Sequence, residues 1–415
     1  ALDYVGAGVQ ALTNGNYVVS SPYWEDDGVG NIGAVTWGDG ASGVSGVVST
    51  ANSLVGSTAD DRVGSGGVTA LTNGNYVVRS YLWNNAGAAY VGAVTWGDGT
   101  AGVVGVVSAA NSLVGSTAAD QVGIGGVTAL IIGIYVVCSR FWENAGSVDA
   151  GAVTWGDGNS GIAGEVSAAN SLVGSTVGDQ VGIGGVTALT NGNYVVRSRN
   201  WDNTGVVDTG AVTWGDGTTG VPGEVSETNS LVGSTANDNV GSGGVTALTN
   251  GDYVIRSIIW DNIGVVDAGA VTWGDGYSGV TGVVSAANSI VGGITDDRVG
   301  NGGVTALTNG SYVVRSSSWD NSPVVDAGAV TWGDVNFPAI GVITADNSVR
   351  GTSDGDGGSL NFAYDDLNQQ LVVGRPYDDI VTLFRLNLYP VADAGPDQTV
   401  MSGATVTLDG SASYD

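Results

Sequence analysis

Forty acidic side chains and twelve tryptophans carry most of the chemistry available to this chain, and the tryptophans recur on a fixed beat. Trp37, Trp96, Trp155, Trp214, Trp273 and Trp332 follow one another at 59-residue intervals, each in a Val-Thr-Trp-Gly-Asp context. A second series, Trp24, Trp83, Trp142, Trp201, Trp260 and Trp319, keeps the same interval. Near the second series lie Asp202, Asn203, Asp208, Asp261, Asn262, Asp267, Asp320 and Asp326. An indole face beside Asp and Asn can grip a neutral sugar, by stacking on the ring and hydrogen-bonding its hydroxyls. Trp83, Trp142, Trp201, Asp202, Trp260, Asp261, Trp319 and Asp320 are therefore the candidate ligand-binding residues. The same residues have a structural reading: Asx residues are ordinary turn formers, and an indole at a strand end either caps a sheet or stands exposed as a platform.

Catalysis finds little vocabulary here. With no histidine, neither a Ser-His nor a Cys-His pair is possible. Paired carboxylates can hydrolyse glycosides, but such sites are singular, whereas these acids recur in every copy. The expectation is a non-catalytic protein whose repetition multiplies weak contacts. Cys138 stands alone where other copies carry Arg79, Arg197 and Arg256, and supports no disulfide framework. The aspartates of the Trp-Gly-Asp turns (Asp39, Asp98, Asp157, Asp216, Asp275 and Asp334) read as structural.

The net charge is −29, with eleven arginines and no lysine. Phosphate backbones and anionic membranes need basic residues, so nucleic acid is a poor partner and membrane binding is disfavoured. No apolar run approaches the roughly 18 residues of a membrane span. Surface carboxylates serve solubility. Divalent cations, basic surfaces and neutral sugars remain open as partners.

The elements that must position these residues are short strands. In the second copy Gly67–Leu71 and Tyr76–Ser80 flank Asn73-Gly74, which predicts a hairpin with a type I′ turn. Gly92–Trp96 is a third strand and Ser112–Ser116 a fourth, with a long loop after Trp83. No segment shows helical periodicity at useful length. The third copy reads Ile131-Ile132-Gly133-Ile134, which makes its hairpin the least well specified. Four-stranded sheets repeated radially are the blades of a β-propeller. A parallel β-helix has shorter coils and no need for a tight antiparallel hairpin. The expected fold is all-β: a seven-bladed propeller over 1–388, with repeats at about 1–59, 60–118, 119–177, 178–236, 237–295 and 296–354 and a degenerate seventh at 355–388.

Val63-Gly64, Val77-Val78-Arg79-Ser80, Gly92–Trp96 and Leu113-Val114-Gly115 stand in an order that resembles the FG-GAP repeat of integrin-α-type propellers. Ser21-Pro22 and Leu371–Asp379 add to it. The resemblance implies calcium in an Asp-rich loop between the first two strands, where carboxylates would wrap the ion. Here that loop is Thr-Asn-Gly-Asn, with one carboxylate in one copy (Asp252), so calcium is not expected at the hairpins. The better-supplied places are Asp354 and Asp356, and Asp365 and Asp366 beside Asn368. The seventh copy supplies three strands, Leu360–Tyr364, Leu371–Gly374 and Ile380–Leu386. A fourth would come from upstream of Ala1, from a neighbouring chain, or from nowhere. Residues 389–415, with Val391–Val400 and Ala404–Ser411, resemble the opening strands of a polycystic-kidney-disease-type immunoglobulin-like domain. That resemblance implies a modular extracellular or cell-surface protein. Adhesion to a cell-surface or matrix component, such as a glycan, is the expected role. The alternative is a structural subunit of an extracellular filament, self-associating through blade or strand contacts.

Overall fold

The computed structural model describes residues 3–385 except 86 and 337. The expected immunoglobulin-like start at 389–415 lies outside the described residues. The described chain is all-β, in seven successive sheets. Sheet 2 is representative. Gly67–Ala70, Tyr76–Ser80, Ala93–Gly97 and Ser112–Val114 pair antiparallel in chain order.

The first strands of sheets 1 to 6 adjoin in succession, so these sheets converge on an inner edge and form the blades of a β-propeller. Alternation sends neighbouring residues to opposite sides of each blade. Tyr76, Val78, Ala93 and Val114 share a buried cluster with Leu12, Val18, Val35 and Leu54 of sheet 1. Val77, Val94 and Leu113 face sheet 3 instead. Both faces of an inner blade are thus covered, which explains why its strands read as unbroken apolar runs. The glycine of each Trp-Gly-Asp turn is required by packing: a Cβ on Gly97 would stand 2.2 Å from Cζ of Tyr76.

Sheets 1 to 5 hold five strands, not four. The fifth is donated by the next repeat and lies parallel to the fourth. Gly105 and Val106 pair with Leu54 and Val55 of sheet 1, and Gly164 and Glu165 pair with Leu113 and Val114 of sheet 2. Each donated strand is two residues long, too short to leave a periodic signal. Sheet 6 has four strands, ending at Ser348–Arg350. Sheet 7 has three, Asn361–Asp365, Gln370–Arg375 and Ile380–Phe384, as the sequence predicts.

The hairpins are not type I′. Gly15 N–H donates to the Leu12 carbonyl and Leu12 N–H to that of Asn16. Gly15 is left-handed at φ +92°, while Asn14 is not. This is a three-residue loop, a type I turn closed by a glycine bulge. The asparagine is free for another task, which the junctions below reveal. The third copy keeps the loop despite its isoleucines: Leu130 N–H reaches the Ile134 carbonyl and Gly133 has φ +89°.

Candidate functional site

Apart from Trp24, which packs within the first repeat, the second tryptophan series ends up between blades, as the first series does. Trp24, Trp83, Trp142, Trp201, Trp260 and Trp319 are at most 7% exposed. Trp83 belongs to the cluster joining sheets 1 and 2, and Trp201 to the one joining sheets 3 and 4. The capping reading therefore describes them, and their ring faces are not open for stacking on a sugar. The neighbouring acids fix the long loop: Asp202, Asp261 and Asp320 accept the backbone N–H of Asp208, Asp267 and Asp326, six residues on.

The first series makes a polar junction. Trp37 Nε1–H, Asn14 Nδ2–H and Asn16 Nδ2–H all donate to one acceptor, the Gly99 carbonyl of the next blade, at 3.0, 2.8 and 2.8 Å. The arrangement recurs at Gly158 with Trp96, Asn73 and Asn75. It recurs again at Gly276 with Trp214, Asn191 and Asn193. In the third copy, where isoleucines replace the asparagines, Trp155 alone reaches Gly217. Between sheets 5 and 6 the turn carries Val335, and Trp273 Nε1 has no partner.

A third series was missed at the sequence level, although it keeps the same beat: Asp61, Asp120, Asp179, Asp238, Asp297 and Asp356, each no more than 1% exposed. One oxygen of Asp238 accepts the N–H groups of Ser234 and Thr235, and the other that of Asp261 in the next blade. Burial pushes the Asp61, Asp120, Asp238 and Asp297 carboxyls above their ordinary value, against the pull of these N–H donors. Repetition at 59 residues was the signal that could have found them.

That series also corrects the cation candidates. Asp356 is its sixth member, a buried loop-former bonded to Ser359. Asp354 accepts the N–H of Val325. Asp365 takes the N–H groups of Leu367 and Asn368 in its own turn, and Asp366 takes the hydroxyl of Thr308 in sheet 6. Among the described residues no three acidic or other ligating side chains converge to hold a metal ion. The Trp-Gly-Asp aspartates are turn formers as read: Asp39 accepts from Ala41 and Ser42, and these bonds hold its carboxyl below the ordinary value. Burial pushes the Cys138 thiol up to about 12, far from a reactive thiolate.

The features left without partners lie at the ends. In the first repeat Gly46 and Val47 occupy the place of the donated strands, and Gly46 has the same left-handed form (φ +109°, against +98° at Gly105). They pair with nothing among the described residues, and Val47 is 85% exposed. Val9 is 69% exposed, and Tyr4 is 62% exposed where its counterpart Val63 is fully buried. At the other end Val381 and Leu383 are 64% and 62% exposed. No hydrogen bond or buried cluster joins sheet 7 to sheet 1 among the described residues. A shallow cleft of about 310 Å³ also opens at the mouth of sheet 2, lined by Thr58, Asp60, Asn84 and Tyr90.

Six stretches of the chain, 11–65, 70–124, 129–183, 188–242, 247–301 and 306–359, match a family described as "Repeat of unknown function (DUF5650)". The chain belongs to that family. No curated protein matches it. Among solved structures it is similar to selenomethionine-substituted virginiamycin B lyase from Staphylococcus aureus, at 9% identity over 92% of this chain and 96% of that one, with a TM-score of 0.34. A score that low says nothing about activity.

Proposed function

We propose that this member of the DUF5650 repeat family is a non-catalytic β-propeller module of a large secreted or surface protein, and that it works by assembly through its end blades. One observation carries the reading. The five junctions from sheets 1–2 to sheets 5–6 are each closed by a strand that repeat n+1 gives to sheet n, yet the first repeat holds its own copy of that segment, unpaired among the described residues. An exposed apolar strand beside an uncovered sheet face is a template for pairing with another chain. The opposite end supplies exposed apolar side chains and, among the described residues, an unpaired strand edge at Ile380–Phe384. Unlike surfaces at the two ends define a head-to-tail contact, which builds rings or filaments from copies of one chain.

Capture of a cell-surface or matrix ligand such as a glycan is the second reading. It passes from the buried indoles to the cleft beside Asp60 and Tyr90, where exposed polar and aromatic groups meet. A glycan array, with Tyr90→Ala as control, tests it; loss of any hit in that variant supports the cleft.

Light scattering on the purified chain tests assembly. Mass should grow with concentration in the wild type, while Val47→Asp should stay monomeric with unchanged circular dichroism. A wild type that is monomeric at every concentration overturns the proposal.

A further inference from the structure

Six of the eleven arginines sit at one end of the second strands, in a chain dominated by acids. Arg79, Arg197, Arg256 and Arg315 share one repeat position, and Arg140 and Arg199 follow two residues after it. The first four are half-buried, and none of the six forms an ion pair among the described residues. Each of the four reaches only a backbone carbonyl of the next blade: Gly123, Gly241, Gly300 and Gly358 respectively. The Nε–H of each is buried and has no acceptor. A charge withdrawn from water without a counter-charge is costly, and forty carboxylates are available elsewhere in this sequence. Their absence here leaves a positive site.

The groups draw together at the junction of sheets 4 and 5. Nη2 of Arg256 and Nη1 of Arg197 lie 3.7 and 3.9 Å from the point where a Cβ on Gly244 would stand. Gly244 opens the first strand of sheet 5, so the two guanidiniums flank the inner rim where no side chain fills the space. Burial, then the charges of Arg199 and Arg256, holds the Arg197 guanidinium below its ordinary value. In the adjoining Gly241–Gly244 stretch, along which the Arg197 stem lies, the Ser242 hydroxyl is also buried and unpartnered.

We propose that Arg197, Arg199 and Arg256 form a binding site for an oxyanion, a sulfate, phosphate or carboxylate group. Planar guanidiniums with free N–H donors suit oxyanions in pairs. The remote acids do not forbid it, because their field is screened beyond roughly 8 Å at physiological salt. The same position in sheet 3 shows what the site needs. There Arg140 and Arg197 are present but Cys138 replaces the third member, so that junction is incomplete.

Calorimetric titration with sodium sulfate, against sodium chloride at equal ionic strength, tests the proposal; dextran sulfate and neutral dextran distinguish a free ion from a polymer-borne group. Saturable binding by sulfate or dextran sulfate beyond chloride is expected, weakened about tenfold or more in Arg256→Gln, the loss typical of one charge-assisted contact. Cys138→Arg should raise the sulfate stoichiometry, and this gain does not depend on whether Arg256→Gln folds well. Sulfate and dextran sulfate binding no better than their controls, or undiminished binding by a folded Arg256→Gln variant, overturns the site.

Discussion

The junction between sheets 1 and 2 and the open face of sheet 1 are built from the same repeat and both bury their long-loop tryptophan, Trp83 and Trp24, yet they differ in the contacts that join one sheet to the next. At the junction Val63 and Tyr76 are buried, a carbonyl collects three donors, and a fifth strand closes the sheet edge. On the open face Tyr4 and Val9 are exposed, and Val47 lies bare. Counterpart positions such as Val63 and Tyr4 are thus sealed or bare according to whether a neighbouring sheet packs on them among the described residues. Stability in this protein resides in the interfaces between repeats, as nearest-neighbour terms do in other repeat arrays.

The comparison breaks most severely at the buried indoles. Trp201→Ala should cost about 3–5 kcal/mol by loss of packing, read as a lower urea midpoint, whereas Tyr4→Ala on the open face should cost under about 0.5 kcal/mol. Equal effects would mean that the open face is covered in solution.

Asp238→Asn should cost about 1–3 kcal/mol, because the amide nitrogen must face an N–H donor on one side or the other. It also sharpens a pH dependence. The raised pKa of Asp61, Asp120, Asp238 and Asp297 means that the folded state holds their protons more tightly than the unfolded state. Their contribution opposes folding above the raised value and is relieved as pH falls through it toward the ordinary 3.8. The turn groups Asp39, Asp98 and Asp216 act in the opposite sense, since their stabilisation is lost as pH falls through their lowered values. Thermal melts from pH 7 down to pH 4 should therefore show a smaller acid-induced gain in Asp238→Asn than in the wild type.

Asn193→Ala should cost about 1 kcal/mol, since the Gly276 carbonyl keeps two of its three donors. The matched change Ile134→Asn in the third copy should gain less than about 1 kcal/mol by supplying a donor that its junction lacks. Both are resolved by urea titration.

Much of this architecture was legible in the sequence. The beat of Trp37 to Trp332 gave six sheets, and the degenerate seventh copy gave three strands. What escaped was decided by neighbours rather than by local pattern. Asn14 in an Asn-Gly pair reads as a turn residue, but its amide spans to the next blade. Trp83 at a loop mouth reads as a cap or, second, as a platform until its neighbouring sheet is in place. Gly105-Val106 is too short to read as a strand, and only its pairing partner defines it. The sugar platform failed because neighbouring sheets bury the indoles, and the clustered acids do not converge because each is bonded to a different backbone N–H or hydroxyl group.

Hydrogen exchange across residues 44–48, followed as a function of protein concentration, tests most directly the claim that the bare strand awaits a partner. At the closed junction the Val107 amide is held by the Val55 carbonyl at 3.0 Å, and Val48 is its counterpart at the open end. Exchange at Val48 should be fast in dilute protein and slow toward the Val107 rate as concentration rises. Fast exchange at all concentrations would contradict assembly through this strand, and slow exchange that ignores concentration would mean that the chain closes on itself.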